Sequence, residues 1–338
     1  MKFLIIGAGP AGLTFAYHAL ERGHDVKVYE GRNVFAFKPC GEALHGEALE
    51  VLPFDIHENH KWILTRFKQV NIYFEGVYLR TISSPFKDKG IIINKAAFLQ
   101  DLADVVIKKG GKIEMGKFFK FKEENADYII DSSGYLTAFR NLDREMYSSY
   151  RVIPVLRDYA VANGVIENDQ LLFDLLDRGY FWIFPYGKDT YNIGIGGFYS
   201  GIELKKILDK KIEAFGLRIF KEKRQGASVS IGGVLKKRAI GNIRIIGEAA
   251  GFVMPTTGEG IRFSIYSALE FFGHAGLIKK IERRINLNAK LLARLINLNT
   301  KKKAKLLSKA DESLMAAFLG ERDFSFKDFF SAITLLQY

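Results

Sequence analysis

The first thirty residues show short apolar runs separated by a glycine-rich turn and one helical stretch. Residues 3–6 are uniformly apolar and predict a buried parallel strand, whereas residues 13–20 carry apolar side chains at helical spacing. A second apolar strand is predicted over residues 25–29, and Glu30 follows it directly. This order of strand, turn, helix and strand is typical of the first unit of a doubly wound α/β fold.

The glycines of this turn have the spacing G-x-G-x-x-G. Between a strand and a helix, that spacing indicates dinucleotide binding, because the glycines permit a tight turn, close approach of a pyrophosphate and close helix packing. The helix N-terminus offers unpaired N–H groups to the phosphates, and Glu30 is expected to accept hydrogen bonds from a ribose diol. The residues predicted to bind the nucleotide here are Gly7, Gly9, Pro10, Ala11, Gly12, Glu30 and Gly31.

Further along, the hydrophobic pattern changes from α/β to β-rich, back to α/β, and finally to helical. Strands are predicted over residues 70–83, 90–94, 112–115, 128–130, 151–165, 180–197 and 243–246. Helices are predicted over residues 96–109, over 263–278 as one buried helix, and through most of the remainder. The fold class predicted is α/β, with a Rossmann-like nucleotide-binding domain, an interleaved antiparallel β-sheet substrate domain and a small C-terminal helical region.

Composition narrows the class of protein. The chain has 338 residues, 48% of them hydrophobic, which is enough for a substantial core. A single cysteine, Cys40, excludes an internal disulfide and a cysteine-cluster metal site, and the six histidines lack metal-ligand spacing. We expect no secretory signal, no membrane span and a cytoplasmic location.

The net charge of +12 is concentrated late in the chain, in residues 277–309. Apolar side chains there alternate with Lys and Arg at roughly helical spacing, namely Leu291, Leu292, Leu295, Ile296 and Leu298. The first interpretation is a set of helices packed on the body with a solvated basic face. The alternative is a peripheral contact with anionic lipid at the inner face of the membrane. No nucleic-acid motif accompanies the charge, so we expect no nucleic-acid partner.

Four further segments carry a family resemblance. Residues 37–44, FKPCGEAL, contain Lys38, Cys40 and Gly41. Residues 126–134, ADYIIDSSG, end a strand at Asp131 and turn at Gly134. Residues 180–196 hold an aromatic pattern formed by Tyr180, Trp182, Phe184, Pro185, Gly194 and Gly196. Residues 244–268 begin with a strand and lead into a helix through Gly247, Glu248, Gly258, Glu259, Gly260 and Ile261.

Together with the glycine fingerprint, these segments resemble the geranylgeranyl reductase family, which belongs to the flavoproteins that include aromatic hydroxylases. The aromatic pattern Y-x-W-x-F-P, a spacer and G-x-G is the most specific part of the resemblance. Two residues depart from the family pattern: Glu248 stands where an Asp is usual, and Lys95 is the nearest match to an Arg before a helix. The chain is also short for the family.

The resemblance implies FAD as the cofactor, held by the fingerprint residues together with Cys40, Gly41, Lys95, Asp131, Gly134, Gly247, Glu248, Gly258, Gly260 and Ile261. It implies a prenyl lipid substrate along the aromatic pattern, from Tyr180 to Gly196, and reduction of its C=C bonds by hydride from reduced flavin. Cys40 either tunes the flavin or donates a proton, or is a small buried packing residue. With a single dinucleotide fingerprint, electrons are expected from an external donor, NAD(P)H or a ferredoxin-like carrier.

The domain boundaries that follow are residues 1–69, 90–145 and 236–275 for the FAD-binding domain, 70–89 and 146–235 for the substrate domain, and 276–338 for the C-terminal helical region. Three alternatives stay open. They are a flavin-dependent monooxygenase or halogenase, an electron-transfer flavoprotein acting on a quinone, and a lipid-binding protein that retains an empty nucleotide fold. The lysines and isoleucines also give a compositional hint of an archaeal or thermophilic source.

Overall fold

The computed structural model describes residues 1–55, 57–83, 90–120, 125–137, 139–220, 224–319 and 322. Small parts of the predicted domains therefore lie outside the described residues, as does most of the predicted C-terminal helical region beyond residue 319. Within these ranges, no helix is both long enough and apolar enough to cross a bilayer.

The strands of the described residues, in chain order, are β1 (Lys2–Ile6), β2 (Asp25–Glu30), β3 (Ala43–His45), β4 (Ile63–Phe67), β5 (Gln69–Phe74), β6 (Val77–Ser83), β7 (Gly90–Ile93), β8 (Lys112–Met115), β9 (Tyr128–Asp131), β10 (Val152–Val161), β11 (Gln170–Leu176), β12 (Gly179–Gly187), β13 (Thr190–Gly197), β14 (Arg218–Ile219), β15 (Gln225–Ser230), β16 (Ala239–Ile240) and β17 (Ile243–Ile245). The α-helices are α1 (Pro10–Leu20), α2 (Lys95–Lys108), α3 (Gly201–Ala214), α4 (Ile261–Ser267), α5 (Ala275–Leu295), α6 (Thr300–Lys309) and α7 (Glu312–Phe318).

A six-stranded sheet in the order β16-β17-β9-β1-β2-β8 carries the glycine fingerprint. All neighbours in it are parallel except β16 and β17. Parallel strands need both faces covered, which explains why β1 is apolar throughout and buried from Phe3 to Ile6. Because β1, β2, β9 and β17 run in one direction, the residues that follow or end them meet at one edge, where Gly7, Glu30, Asp131 and Gly247 lie.

A second, eight-stranded sheet has the order β14-β10-β13-β12-β11-β5-β6, with β15 also paired to β10. Its neighbours are antiparallel except β11 and β5, which run parallel. Strands β5 and β11 are far apart in the chain and are not joined by a hairpin. Because only a hairpin requires neighbouring strands to be antiparallel, this pair can run parallel. A small third sheet, in the order β3-β7-β4, was not predicted as a separate sheet.

The predicted fold class is confirmed, but one predicted helix is wrong. Residues 263–278 are not a single helix, because α4 ends at Ser267, a short 3₁₀ turn follows, and α5 begins at Ala275. The break lies at Gly273, whose φ of 93° is left-handed and ends the helical path. As a result, α4 stays beside the nucleotide-binding sheet while α5 starts a separate helical layer.

Candidate functional site

The glycine turn after β1 has room for a phosphate at one position only. Gly7 has a φ of 102°, and a Cβ there would lie 2.6 Å from the Ser132 carbonyl oxygen. A Cβ on Gly12 would overlap the carbonyl oxygen of Gly7. Gly9, the N-cap of α1, has no heavy atom within 4 Å of its missing Cβ. Gly7 and Gly12 are thus needed because the backbone packs closely around them. Gly9 instead leaves open space at the helix N-terminus that a pyrophosphate would fill.

Pro10 and Ala11 follow at the start of α1. Pro10 is the first helical residue, a position where the missing backbone N–H removes no helical hydrogen bond. Ala11 packs against the second glycine-rich turn, since a Cβ on Gly247 would lie 2.8 Å from the Ala11 Cβ. Gly247 has a φ of 62°, so the close approach and the backbone conformation both favour glycine.

The Glu30 carboxylate lies at the end of β2, beside the turn. Its Oε2 accepts from the Ala8 N–H at 2.9 Å and its Oε1 accepts from the Arg32 N–H at 2.9 Å. A Cβ on Gly31 would lie 2.8 Å from the Phe118 ring. The backbone therefore holds this carboxylate at the strand end, where a ribose hydroxyl can reach it.

Next to the turn, a cavity of about 210 Å³ separates the first sheet from the second. Pro10, Lys38, Cys40, Glu248 and Ile261 line one side of it, and the other side is apolar. A pyrophosphate and sugar chain need polar partners, and an isoalloxazine needs a flat apolar surface. The residues present therefore fit FAD.

On the polar side, Lys38 and Glu248 form an ion pair that lines the cavity. Lys38 Nζ donates to the Glu248 carboxylate at 2.6 and 2.5 Å, and Glu248 Oε1 also accepts from the Ser230 N–H at 3.1 Å. The Glu248 carbonyl accepts from the Tyr150 hydroxyl at 3.0 Å. Tyr135 lies under the Lys38 ammonium, 5.0 Å from the ring centre. Glu248 thus lines the predicted cofactor space.

Lys95 is the first residue of α2 and lines the same cavity. Its Nζ donates to the Lys38 carbonyl at 2.6 Å. Burial lowers the pKa of Lys95, although nearby Cys40 and Glu42 oppose the shift. The backbone contact shows that this lysine holds the Lys38 segment in place.

Asp131 and Gly134 lie farther from the cavity than expected. The Asp131 carboxylate is fully buried and accepts from Ser133 N–H at 3.0 Å, from Ser133 Oγ at 2.5 Å and from Thr137 Oγ at 2.5 Å. Burial is the main reason that the pKa of Asp131 is raised. Gly134 has a φ of 78°, and a Cβ there would lie 3.6 Å from Glu248. In the described residues, Asp131 supports the turn through its neighbours, and Gly134 lies beside Glu248 without lining the cavity.

The turn before α4 also lines the cavity and lies next to Tyr180. Gly258 has a φ of 70°, and a Cβ there would overlap the Tyr180 hydroxyl. Gly260 is the N-cap of α4 and Ile261 its first residue, and both line the cavity. Glu259 pairs with Arg262 at 2.6 Å. The turn therefore brings its backbone directly against the aromatic side of the cavity.

The apolar side of the cavity is an aromatic wall formed by Tyr180, Trp182 and Phe184. These residues alternate along β12, so their rings share one sheet face, with ring centres 5.9 Å and 6.3 Å apart. All three are buried and line the cavity. Burial raises the pKa of Tyr180, so its hydroxyl stays protonated at neutral pH.

Glycines on β13 make room for this wall. Gly194 pairs with Trp182 and Gly196 pairs with Tyr180 across the two strands. A Cβ on Gly194 would overlap the Trp182 ring, and one on Gly196 would lie 3.5 Å from Tyr180. Pro185, by contrast, lies at the irregularity in the β12–β13 register rather than on the cavity surface. The G-x-G element is therefore the steric complement of the aromatics.

A second apolar cavity, of about 100 Å³, lies behind Tyr180. It shares Tyr180 and Leu319 with the first cavity. Side chains from α5, α6 and α7 complete its wall, among them Leu295, Leu307 and Phe318. The C-terminal helices thus extend the apolar surface that begins at the aromatic wall.

Sequence reasoning missed two polar residues of this site, Glu42 and Asn192. Both are buried, and both bond to the loop that carries Cys40. Cys40 is partly exposed, and its Sγ accepts from the Glu42 N–H at 3.3 Å. A Cβ on Gly41 would lie 2.7 Å from the Phe184 ring, so the loop passes directly over the aromatic wall. Buried Glu and Asn are uncommon, and a positive φ at Glu42 could not be read from the sequence.

Comparison with known proteins shows similarity to a nucleotide-binding family and to two reductases. A family model described as an NAD(P)-binding Rossmann-like domain matches residues 5–56. Digeranylgeranylglycerophospholipid reductase 3 of Methanosphaera stadtmanae is 25% identical over 306 residues, which covers 79% of this chain and 75% of that protein. The digeranylgeranylglycerophospholipid reductase of Thermoplasma volcanium is 27% identical over 305 residues, with the same coverage of 79% and 75%. The chain is similar to these reductases along most of its length.

A solved structure gives the same result for the fold. A geranylgeranyl bacteriochlorophyll reductase-like protein from Thermoplasma acidophilum superposes with a TM-score of 0.76 at 21% identity. The match covers 98% of this chain and 95% of that one. The predicted fold is therefore confirmed. The predicted resemblance to the geranylgeranyl reductase family is confirmed by the sequence similarity to the two reductases above.

Proposed function

We propose that this chain is an FAD-dependent reductase that saturates C=C bonds of a prenyl chain of the geranylgeranyl type on an isoprenoid lipid. One observation carries the proposal: a single cavity has a nucleotide turn with open space at Gly9 on one side and a wall of Tyr180, Trp182 and Phe184 on the other. The reductase names of its relatives agree with that arrangement.

In this proposal, the chain binds and orients both partners. The turn at Gly9 and the Glu30 carboxylate hold the nucleotide end of the cofactor, and Lys38 and Glu248 contact its middle. The aromatic wall removes a hydrocarbon chain from water, which favours binding by roughly 25 cal/mol per Å² of apolar surface buried. FAD, when bound and reduced, supplies the hydride.

Cys40 lies where the polar and apolar sides of the cavity meet. It lines the cavity, and the loop around it passes over Phe184. A thiol at this junction can hold a proton beside the substrate or tune the flavin. The electron donor in this proposal is external, either NAD(P)H or a ferredoxin-like carrier, since the glycine fingerprint serves FAD.

The test is direct reduction of a prenyl lipid. Purified protein is loaded with FAD, reduced with dithionite and mixed with a digeranylgeranyl glycerophospholipid, and the lipid is analysed by mass spectrometry. We expect mass increases in steps of two hydrogens, and a much smaller conversion at limiting FAD with Gly9→Ala, which keeps the fold but narrows the pyrophosphate space. Bound, reducible flavin with an unchanged lipid would refute the proposal. Peroxide release with NAD(P)H would then favour the monooxygenase alternative.

We also propose a peripheral contact with anionic lipid through α5. Exposed basic residues recur along one side of this helix, at Lys279, Arg283, Lys290 and Arg294, and Leu287 is exposed among them. Each basic residue near an anionic membrane surface contributes about 1 kcal/mol of attraction. A lipid substrate at a membrane also needs a protein that reaches the membrane.

Vesicle sedimentation tests this contact. With vesicles containing phosphatidylserine or another anionic lipid, Arg283→Glu with Lys290→Glu should reduce the bound fraction several-fold and should abolish its salt dependence. The matched control is Lys205→Glu with Lys206→Glu on α3, which is also basic and exposed. Equal loss in both pairs would indicate a response to net charge alone and would contradict a specific α5 surface.

A further inference from the structure

A fully buried asparagine joins the Cys40 loop to the aromatic wall. Asn192 lies on β13, and its Nδ2 donates to the Cys40 carbonyl at 2.8 Å and to Glu42 Oε2 at 3.0 Å. Its Oδ1 accepts from the Trp182 indole N–H at 3.1 Å. Both amide hydrogens and the oxygen are therefore used, as burial of a primary amide requires. One side chain thus contacts the cofactor-side loop and the substrate-side ring at the same time.

Glu42 completes this arrangement from the loop side. Its backbone has a φ of 65°, which is unfavourable for a residue with a Cβ. Its carboxylate accepts from the Lys95 N–H at 3.1 Å, from the Tyr159 hydroxyl at 2.9 Å and from Asn192. The donors come from α2, β10 and β13, so a helix that contacts the first sheet and two strands of the second sheet hold the strained residue. Such strain persists only where surrounding contacts enforce it.

We propose that Asn192 and Glu42 are positioning residues that set the placement of the Cys40 loop against Trp182. We call the pair, with the Tyr159 hydroxyl, the loop junction. The inference rests on the proposed function, in which the cofactor contacts the loop and the substrate contacts the indole. Without the loop junction, Glu42 leaves the left-handed conformation, and Cys40 moves relative to the wall.

The chain supplies its own reporter for this movement. Cys40 is the sole cysteine of the sequence and is partly exposed, so alkylation of the full-length protein reads the loop alone. Local opening of the loop raises the alkylation rate in proportion to the open population. Trp182 is one of two tryptophans, so in a Trp62→Phe background its emission reports the indole environment.

The main variant reverses the hydrogen bonding at one atom. Asn192→Asp keeps the shape but places an oxygen against the Cys40 carbonyl and the Glu42 carboxylate, which then repel. We expect alkylation of Cys40 to accelerate about tenfold or more, and the Trp182 emission to shift. Adding Glu42→Gln supplies an amide that donates to the new carboxylate. The double variant should recover part of the slow alkylation, because the repulsion from Glu42 is removed while the Cys40 carbonyl still lacks its donor. Such recovery is the coupling expected of two residues in contact.

A control variant separates loop movement from lost stability. Asp174 is also fully buried, accepts from the Gly76 N–H at 3.0 Å and pairs with Lys211. It lies on β11 with its side chain on the opposite face of the second sheet from Asn192. Asp174→Asn should lower the free energy of unfolding and leave Cys40 alkylation and Trp182 emission unchanged.

A milder variant tests the same proposal if Asn192→Asp does not fold. Tyr159→Phe removes one donor to Glu42 and should accelerate alkylation by about threefold, with less effect on emission. The proposal is overturned if Cys40 in these variants is alkylated no faster than in Asp174→Asn. It is also overturned if adding Glu42→Gln to Asn192→Asp does not slow the alkylation of Cys40. The alkylation assay uses no prenyl lipid. Absence of lipid reduction by the unaltered protein would therefore refute the proposed function without affecting this result.

Discussion

Gly9 and Gly12 belong to one fingerprint, yet the same added methyl group should have opposite effects at the two positions. Gly9→Ala places its Cβ in open space, and the backbone at φ −84° and ψ −174° is extended, a conformation that alanine adopts readily. Gly12→Ala places its Cβ on the carbonyl oxygen of Gly7 and 2.5 Å from the Ser132 hydroxyl. The first change should therefore affect the ligand, and the second should affect the fold.

The magnitudes follow from these contacts. For Gly9→Ala, the loss of a glycine N-cap should cost less than about 1 kcal/mol of stability in the absence of FAD. The methyl group displaces a pyrophosphate that accepts charge-assisted hydrogen bonds, so FAD binding should weaken by about 3 kcal/mol, or roughly 100-fold in Kd. For Gly12→Ala, overlap with backbone atoms should cost about 3 kcal/mol of stability. That is a large part of the roughly 5–15 kcal/mol typical of a domain.

Two measurements separate the variants. Urea unfolding of the FAD-free proteins gives the free energy of unfolding, and titration of flavin fluorescence gives the Kd for FAD. We expect Gly9→Ala to unfold like the unaltered protein and to bind FAD weakly. If Gly9→Ala binds FAD with unchanged affinity, no pyrophosphate lies at this turn, and the cofactor assignment is wrong.

Three shorter predictions concern the cavity walls and a buried acid. Gly194→Ala should displace the Trp182 ring, lower the free energy of unfolding by about 2 kcal/mol in urea and leave FAD affinity unchanged. Gly258→Ala should lower the free energy of unfolding, measured in urea, because its Cβ overlaps the Tyr180 hydroxyl. Adding Tyr180→Phe should restore part of this free energy, and the remaining loss of about 1 kcal/mol is the cost of the left-handed backbone for alanine. Burial raises the pKa of Asp131 above its ordinary 3.8, so its carboxyl costs stability as the pH rises through the raised pKa. Asp131→Asn should therefore gain stability relative to the unaltered protein as the pH rises above 3.8, and parallel pH profiles would contradict this.

The sequence predicted those parts of the site whose residues are close together in the chain. The turn from Gly7 to Gly12 requires glycine for local reasons, and the alternation of Tyr180, Trp182 and Phe184 follows directly from strand periodicity. Both signals have a fixed local period, so they are readable without knowledge of the tertiary structure. The fold class followed for the same reason, since each strand and helix leaves its own hydrophobic pattern.

The parts that were missed depend on contacts between distant segments. Asn192 bonds to Cys40 and Glu42, which lie about 150 positions earlier in the chain. The hydrophobic pattern of a strand does not indicate which distant residue a buried polar side chain will bind. The break at Gly273 was missed for a different reason: apolar residues occur on both sides of it, while a 3₁₀ turn and the left-handed φ of Gly273 separate α4 from α5.

Lys38 and Glu248 show how a departure from a family pattern is accommodated. Alone, the longer side chain of Glu248 would place a carboxylate deeper in the cavity than an aspartate does. In this chain, Lys38, 210 positions away, donates to both of its oxygens, and Lys95 holds the Lys38 carbonyl. The two departures therefore act on one segment: Lys95, the first residue of α2, holds the loop by its backbone, and the Lys38 ammonium on that loop pairs with the longer Glu248 side chain.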